Sequence, residues 1–385
     1  MIGRAGGAII GYAARKAGFH AMSSSRLPFG ISACLIVRDE QAMIGRCLAS
    51  LSDLDQVVVA DTGSKDRTAA IARGLGADVV CLGIREPFHF GDARQAALSR
   101  ASYLWTLSID ADEVLLPGAS QALARAAADF KTHAWEVGFL QRSRHDDPAP
   151  VLMPLKRFFR SDLHRWRFRV HEQAVPVAAA RMGRLDRTVL EHLPAGDREK
   201  RKGQNFELLK IAVDESPDYP RLRFYLADEY RTRGDLARAI EEIGRYLESG
   251  VDEGALWLSE ARLFLGMMLG KTGRKDDAVR ALEAAWKACP DRREPLVHAA
   301  ELELAAGRPG LALWYLERAL AIPEDRRPDF HLNWPSAWGR MPYEALSGIL
   351  RAAEAADPGF WAKLPKEEAA RLRDLGSRAL AMEKP

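Results

Sequence analysis

Cysteine is scarce in this sequence: four in 385 residues, Cys34, Cys47, Cys81 and Cys289, never at a Cys-x-x-Cys spacing. Neither a zinc knuckle nor a disulfide framework is expected, and a reducing, cytoplasmic setting fits. Charge bias is also missing. Lys and Arg total 56 against 53 Asp and Glu, a net +3, whereas a general nucleic-acid binder carries a marked basic excess; no nucleic-acid partner is expected. No stretch approaches the ~20 apolar residues of a spanning helix. What is present is ordinary: 47% hydrophobic and 28% charged residues exclude disordered and fibrous classes. At ~150 residues per domain the length predicts two or three domains.

The first residues stand apart. No acidic residue precedes Asp39, while Arg4, Arg15, Lys16, Arg26 and Arg38 are basic, and the apolar stretch Ala5–Ala14 is only ten residues long. Arg15 and Lys16 interrupt where a signal-peptide cleavage site should follow. Residues 1–29 read as a basic leader with two readings open. It is disordered, perhaps ahead of a true start at Met22, or it is an amphipathic segment touching anionic lipid, peripheral at the inner membrane.

From Ile31 to about His192 short apolar runs alternate with helical patterns. Ile31–Val37, Gln56–Ala60, Asp78–Leu82 and Tyr103–Ile109 read as buried strands; Glu40–Leu51, Asp66–Leu75 and Asp92–Ser102 read as the helices between them. That spacing predicts right-handed βαβ units and a parallel sheet covered on both faces. After a helix around Leu116–Phe130, strands at Trp135–Gln141 and Val151–Arg160 make the sheet mixed. From Gly203 the pattern is helical and repeats: Gly234, Gly273 and Gly307 are 39 and 34 residues apart, and Ala239, Ala278 and Ala312 keep the same offsets. A unit of about 34 residues with small residues at helix crossings is the tetratricopeptide pattern, TPR. The middle unit matches best, through Gly266, Leu269, Gly273, Ala278, Leu282 and Pro290; a generic helical bundle is the plainer alternative. The expected organisation is a leader (1–29), an α/β domain (30–195), TPR-like repeats (203–345) and a helical cap and tail (346–385).

Chemistry concentrates at predicted strand ends. Asp110-Ala111-Asp112-Glu113 follows the fourth apolar run, Asp61-Thr62-Gly63-Ser64 the second, and Arg38-Asp39-Glu40 the first. Ligands of open α/β sheets gather outside the carboxyl ends of strands, and carboxylates two residues apart on an extended chain point the same way. Paired hard oxygens suit Mg²⁺ or Mn²⁺ alongside substrate phosphates. A lone Asp-x-Asp is more often a solvated acidic loop; three such ends in one cleft are harder to explain as packing.

These motifs resemble the nucleotide-sugar-binding half of family 2 glycosyltransferases of the GT-A type, a Rossmann-like α/β fold with a mixed sheet. Phe90-Gly91-Asp92-Ala93-Arg94-Gln95 is similar to the family's approach to its Asp-x-Asp, with Gln95 where Asn is usual. Arg169-Val170-His171-Glu172 and Glu191-His192 resemble later family elements, and repeats after such a domain are familiar in bacterial members. The resemblance implies that Glu40 and Asp61 contact the uracil or ribose of a UDP-sugar, that Asp110 binds ribose or metal-bound diphosphate, that Asp112 ligates Mn²⁺ or Mg²⁺, and that Arg94 approaches the diphosphate. His171 and His192 compete as a further metal ligand, or either is a structural hydrogen-bonded histidine. An inverting transfer needs a carboxylate to take the acceptor's proton; Glu172 is the candidate, with Asp146 and Asp147 in reserve.

The basic run from Lys156 to Arg169 either meets a phosphorylated or lipid-linked acceptor or is a strand face with its own local partners. The function implied is a metal-dependent inverting transfer of a sugar from a nucleotide-sugar donor to a saccharide, lipid-linked or peptide acceptor in cell-envelope glycan synthesis, with the repeats holding the acceptor or a protein partner. The rival is a catalytically inactive glycosyltransferase-like domain in a TPR interaction scaffold. A nucleotidyltransferase is disfavoured because no glycine-rich loop follows the first strand.

Overall fold

The computed structural model describes residues 27–83, 86–141, 151–193, 204–250, 254–328, 335–339 and 341–381; residues 1–26 and the reserve base candidates Asp146 and Asp147 lie outside the described residues. The chain divides into two compact units, one ending at Leu222 and one starting at Arg223.

The first unit begins β1 (Ile31–Val37), α1 (Ile44–Ser50), β2 (Gln56–Asp61), α2 (Thr68–Gly74), β3 (Asp78–Cys81), α3 (Phe90–Leu98), β4 (Trp105–Ser108). These four strands pair in parallel. Their apolar runs are unbroken because both faces are covered. Ala33, Leu35, Val37 and Val59 pack with Ile44 and Leu48 of α1. Cys34, Val58 and Ala60, pointing the other way as strand alternation requires, pack on Ala97 of α3.

There follow β5 (Glu113–Leu115), α4 (Ala119–Ala127), β6 (Ala134–Gln141), β7 (Val151–Arg160), β8 (His164–Arg167), β9 (Gln173–Pro176), β10 (Met182–His192) and α5 (Gln204–Glu215). The mixed sheet expected from sequence has eight strands in the order β3-β2-β1-β4-β7-β6-β10-β5. β7 is antiparallel to β4 and β6, and β10 is parallel to β6 but antiparallel to β5. Six strands therefore run one way, and their ends at Val37, Asp61, Cys81, Ser108, Gln141 and His192 share one edge. The order reverses between β1 and β4, the crevice that ligands of such sheets occupy. Strands β5, β8, β9 and β10 are additions to the sequence reading. The first three are only three or four residues long, and β10 carries Arg184, Arg187 and Glu191 among its 11 residues.

The second unit takes in most of α6 (Arg221–Thr232), then α7 (Leu236–Glu248), α8 (Ala255–Lys271), α9 (Lys275–Ala288), α10 (Glu294–Ala305), α11 (Pro309–Ala321), α12 (Pro335–Trp338), α13 (Met341–Ala356), α14 (Phe360–Lys363) and α15 (Lys366–Ala381). Pairs α6–α7, α8–α9 and α10–α11 are TPR-like units. Gly234, Gly273 and Gly307 turn each pair at φ of 81°, 81° and 72°, where a side chain is strained. The amide after each glycine bonds back across the turn, Asp235 to Tyr230, Arg274 to Leu269 and Arg308 to Glu303, which satisfies a helix-terminal carbonyl. Ala239, Ala278 and Ala312 are fully buried. Behind the middle turn, a Cβ on Gly266 would lie 2.6 Å from Leu282 Cγ, so α8 and α9 approach as closely as the small residue allows. The segment read as a polar tail carries an amphipathic helix instead, since α15 buries Ala369 and Leu372. Among the described residues no helix is long and apolar enough to cross a membrane.

Candidate active site

Each side chain of the site is carried to the shared edge by a strand end or by a loop held against one. After β1 the chain turns through Asp39, a non-glycine residue at φ 54°, and three bonds lace it to the loop after β2. Asp39 Oδ1 accepts the Lys65 N–H at 2.7 Å, Ser64 Oγ accepts the Asp39 N–H at 2.9 Å, and Thr68 Oγ1 accepts the Glu40 N–H at 2.7 Å. Asp61 is buried and accepts both the amide and the hydroxyl of Ser64 on one oxygen. Glu40 and Asp61 thus belong to adjacent, mutually braced loops.

The Asp-x-Asp after β4 is the centre of a buried ion network. Arg94 of α3 donates from Nη2 to Asp110 Oδ1 at 2.7 Å and from Nε to Glu172 Oε1 at 2.6 Å, and its Nη1 reaches Ser108 Oγ at 3.3 Å. Arg157 of β7 donates to Asp110 Oδ2 at 3.2 Å and to Glu113 Oε1 at 3.0 Å. Glu113 turns its other oxygen back to accept the Asp110 N–H at 2.9 Å. Charges therefore alternate from Glu172 through Arg94, Asp110 and Arg157 to Glu113, as burial demands of ions. Burial opposes ionisation of Asp110, but Arg94 and Arg157 outweigh it and hold its carboxyl well below the usual range. Burial pushes Glu113 up to about 7, against the pull of Arg157 and with help from Asp110 and Asp112. Arg94, itself buried, is kept charged by Asp110 and Glu172.

A second cluster lies alongside. Asp112 Oδ2 is 3.2 Å from His192 Nε2, and His192 Nδ1 is 2.9 Å from the Gln141 amide nitrogen. The Asp112 carbonyl accepts the Leu193 N–H at 2.8 Å. His171 is exposed in the β8–β9 connection, next to Glu172. That connection is bent by two left-handed residues, Phe168 at φ 72° and His171 at φ 51°; such strain in non-glycine residues marks places the surrounding structure holds deliberately. Its supports are visible. Phe168 stacks on Tyr219 with centroids 4.0 Å apart. Phe90 donates its amide to the Arg169 carbonyl at 2.8 Å, and the Arg169 guanidinium grips Glu215 and the carbonyls of Pro87 and Phe88. Glu172 is delivered to Arg94 by this brace.

The structure thus brings together Arg94, Asp110 and Glu172, and separately Asp112 and His192. The Lys156–Arg169 run resolves mostly toward local partners rather than an open cationic face: Lys156 reaches the Ala174 carbonyl, Arg157 the ion network, Arg160 Asp162, and Arg169 Glu215. Gln95, the departure from the usual Asn, accepts the Trp166 N–H at 2.9 Å and so holds β8 against α3. Arg157, Glu113 and Gln141 went unassigned in sequence. The one available signal was a cation at Arg157 between the apolar residues of a buried strand.

Mn²⁺ or Mg²⁺ takes oxygen ligands and tolerates an imidazole. Asp110 spends both oxygens on guanidiniums, whereas Asp112 faces an imidazole, a donor set that fits such an ion. Among the described residues no group of three His, Cys, Asp or Glu is placed to hold a metal without help, so the remaining ligands must come from substrate phosphate and water.

Comparison with known proteins agrees with this geometry. The model of Glycosyl transferase family 2 matches residues 32–183. A lipopolysaccharide core biosynthesis glycosyltransferase, LpsC of Rhizobium meliloti (strain 1021), is 33% identical over 110 residues, 28% of this chain and 41% of that protein. A TPR repeat-containing protein of Synechococcus elongatus is 38% identical over 125 residues, 30% of each chain. The crystal structure of S. aureus TarS 1–349 aligns with 67% of this chain and 91% of that one at 16% identity and a TM-score of 0.42. The chain spans less than half the length of the curated relatives it matches.

Proposed function

We propose that this chain, whose residues 32–183 are a family 2 glycosyltransferase domain, moves a sugar from a nucleotide-sugar, a UDP-sugar in the first instance, to a cell-envelope acceptor with inversion at the anomeric carbon. The observation that carries this reading is the convergence of Asp61, Asp110 and Asp112 at the carboxyl edge of one sheet, with Arg94 and Arg157 fixing Asp110 and His192 beside Asp112.

In this reading Glu40 and Asp61 contact the uracil and ribose from their braced loops, and Asp110, immobilised by two arginines, presents its backbone and remaining surface to the ribose. Asp112 holds Mn²⁺ or Mg²⁺, with His171 or His192 as the candidate imidazole ligand. The ion supplies positive charge that offsets the charge gathering on the departing diphosphate. Arg94 lies too deep in its own ion pairs to act chiefly on the diphosphate; its task here is to orient Asp110 and Glu172. Glu172, held by Arg94 through Oε1, takes the acceptor hydroxyl's proton on its other oxygen as the acceptor oxygen bonds to the anomeric carbon and the bond to the diphosphate breaks. Asp146 and Asp147 stay the alternative bases. The resemblance of LpsC supports an envelope acceptor, saccharide or lipid-linked, met on the cytoplasmic side of the inner membrane; the helical repeats would position it or a protein partner.

Replacing Asp112 by Asn should abolish transfer with the fold retained; the measurement is product formation from UDP-sugars beside a far-ultraviolet spectrum. Full activity in a folded Asp112→Asn protein would exclude the metal role.

A further inference from the structure

Gln141 and His192 are Cα partners at the carboxyl ends of the parallel strands β6 and β10, and His192 also pairs with Glu113 at the start of β5. The imidazole is 4% exposed, with Phe139 as an aromatic neighbour at 6.3 Å between centroids. Its two nitrogens meet different partners: Nδ1 the amide nitrogen of Gln141 at 2.9 Å, Nε2 the Oδ2 of Asp112 at 3.2 Å. An amide nitrogen only donates. Nδ1 must then accept, which in a neutral ring puts the proton on Nε2, the nitrogen that faces Asp112. A nitrogen carrying that proton has no lone pair for a metal ion.

We infer that Gln141 is a positioning residue of the donor site: its amide selects the Nε2–H tautomer of His192, so that His192 donates to and aims the Asp112 carboxylate instead of ligating the metal itself. This rests on the reading of Asp112 as the metal-binding carboxylate. It removes His192 from the candidate ligands and leaves the ion to Asp112 and substrate oxygens, with His171 the remaining imidazole. It also makes the arrangement switchable by one side chain. A residue that only accepts at position 141 would demand a proton on Nδ1, and in the neutral ring Nε2 would then present a lone pair toward Asp112. Outer hydrogen bonds of this kind are worth about 10–100-fold in metal affinity.

The test uses the full chain labelled with ¹⁵N-histidine. Long-range proton–nitrogen correlations report which ring nitrogen carries the proton, with His192 assigned from the spectrum lost in His192→Asn. The wild type should show the Nε2–H pattern, unchanged on adding Mg²⁺ and UDP. Gln141→Glu should abolish that pattern. Gln141→Leu should keep UDP binding at saturating Mg²⁺ but require about 10-fold more metal to reach it. A wild-type Nδ1–H pattern overturns the inference, as does a His192 nitrogen resonance that moves on metal binding, or a Gln141→Leu protein whose metal requirement is unaltered. The donor-site reading fails on a different result: no metal-dependent UDP binding by the wild type, whatever tautomer His192 adopts. That result would take the positioning role with it and leave the tautomer assignment as a purely structural fact.

Discussion

Arg94 cannot be removed without orphaning two carboxylates. It satisfies Asp110 and Glu172 at once, and breaking a buried ion pair by deleting one partner costs about 3–5 kcal/mol. Arg94→Met should lower the denaturant midpoint accordingly and lose metal-dependent UDP binding. Arg94→Lys retains the charge but not the planar fork that reaches two acids, so it should recover stability more than binding. A Met variant with wild-type stability would contradict the network. A separate residue sets the acid limit. Burial holds the His164 imidazole down at about 4 from its ordinary 6.5, with Nδ1 donating to the Arg160 carbonyl at 3.0 Å. A depressed folded-state value means the contribution is present above pH 6.5 and is lost as pH falls through about 4, a change of about 3 kcal/mol. His164→Asn, which keeps a donor for that carbonyl, should flatten the fall in unfolding free energy over this interval; an unaltered pH slope would refute the assignment. The acids Asp110, Asp112 and Glu172 were legible in sequence because each lies in a short local motif. Arg157 and Gln141 were not, because their partners are 44 to 51 residues away and only the sheet order brings them together.

At the scale of elements, the repeat glycines separate two physical roles. Gly273 has open space around a notional Cβ but a φ of 81°, so Gly273→Ala should cost about 1–2 kcal/mol from backbone strain alone. Gly266 is helical, and its Cβ would strike Leu282, an overpacking cost of about 1–3 kcal/mol. Gly266→Ala combined with Leu282→Ala should therefore be less destabilising than the sum of the two, while Gly273→Ala with Leu282→Ala should simply add; thermal unfolding of the four variants decides it. Both glycines were readable as a spacing, since turns and crossings recur with the repeat. The strands β1 to β4 were readable as apolar runs because both their faces are buried. β10 escaped notice because its charged residues break the alternation, and the hairpin β8–β9 because four residues carry too little pattern.

For the whole molecule, the change from strands to helices near Gly203 was visible in composition, yet α5 lies in the first unit, where Glu215 is gripped by Arg169 and the following Tyr219 stacks on Phe168. No local pattern encodes such a contact. If donor binding belongs to the first unit, UDP with Mn²⁺ should slow hydrogen exchange in the segments 37–41, 60–68, 108–113 and 188–193 and leave 255–321 unchanged; protection confined to the helices would place the ligand elsewhere. Saturation at 100 times Kd should stabilise the responding unit by about 2.7 kcal/mol. The most direct measurement is calorimetric titration of the full chain with UDP, first with Mn²⁺, then with EDTA, and again with Asp112→Asn. Binding that requires both the ion and Asp112 is the expected result. A folded protein that binds neither UDP nor another nucleoside diphosphate would contradict a working donor site and point instead to an inactive domain carried on a repeat scaffold.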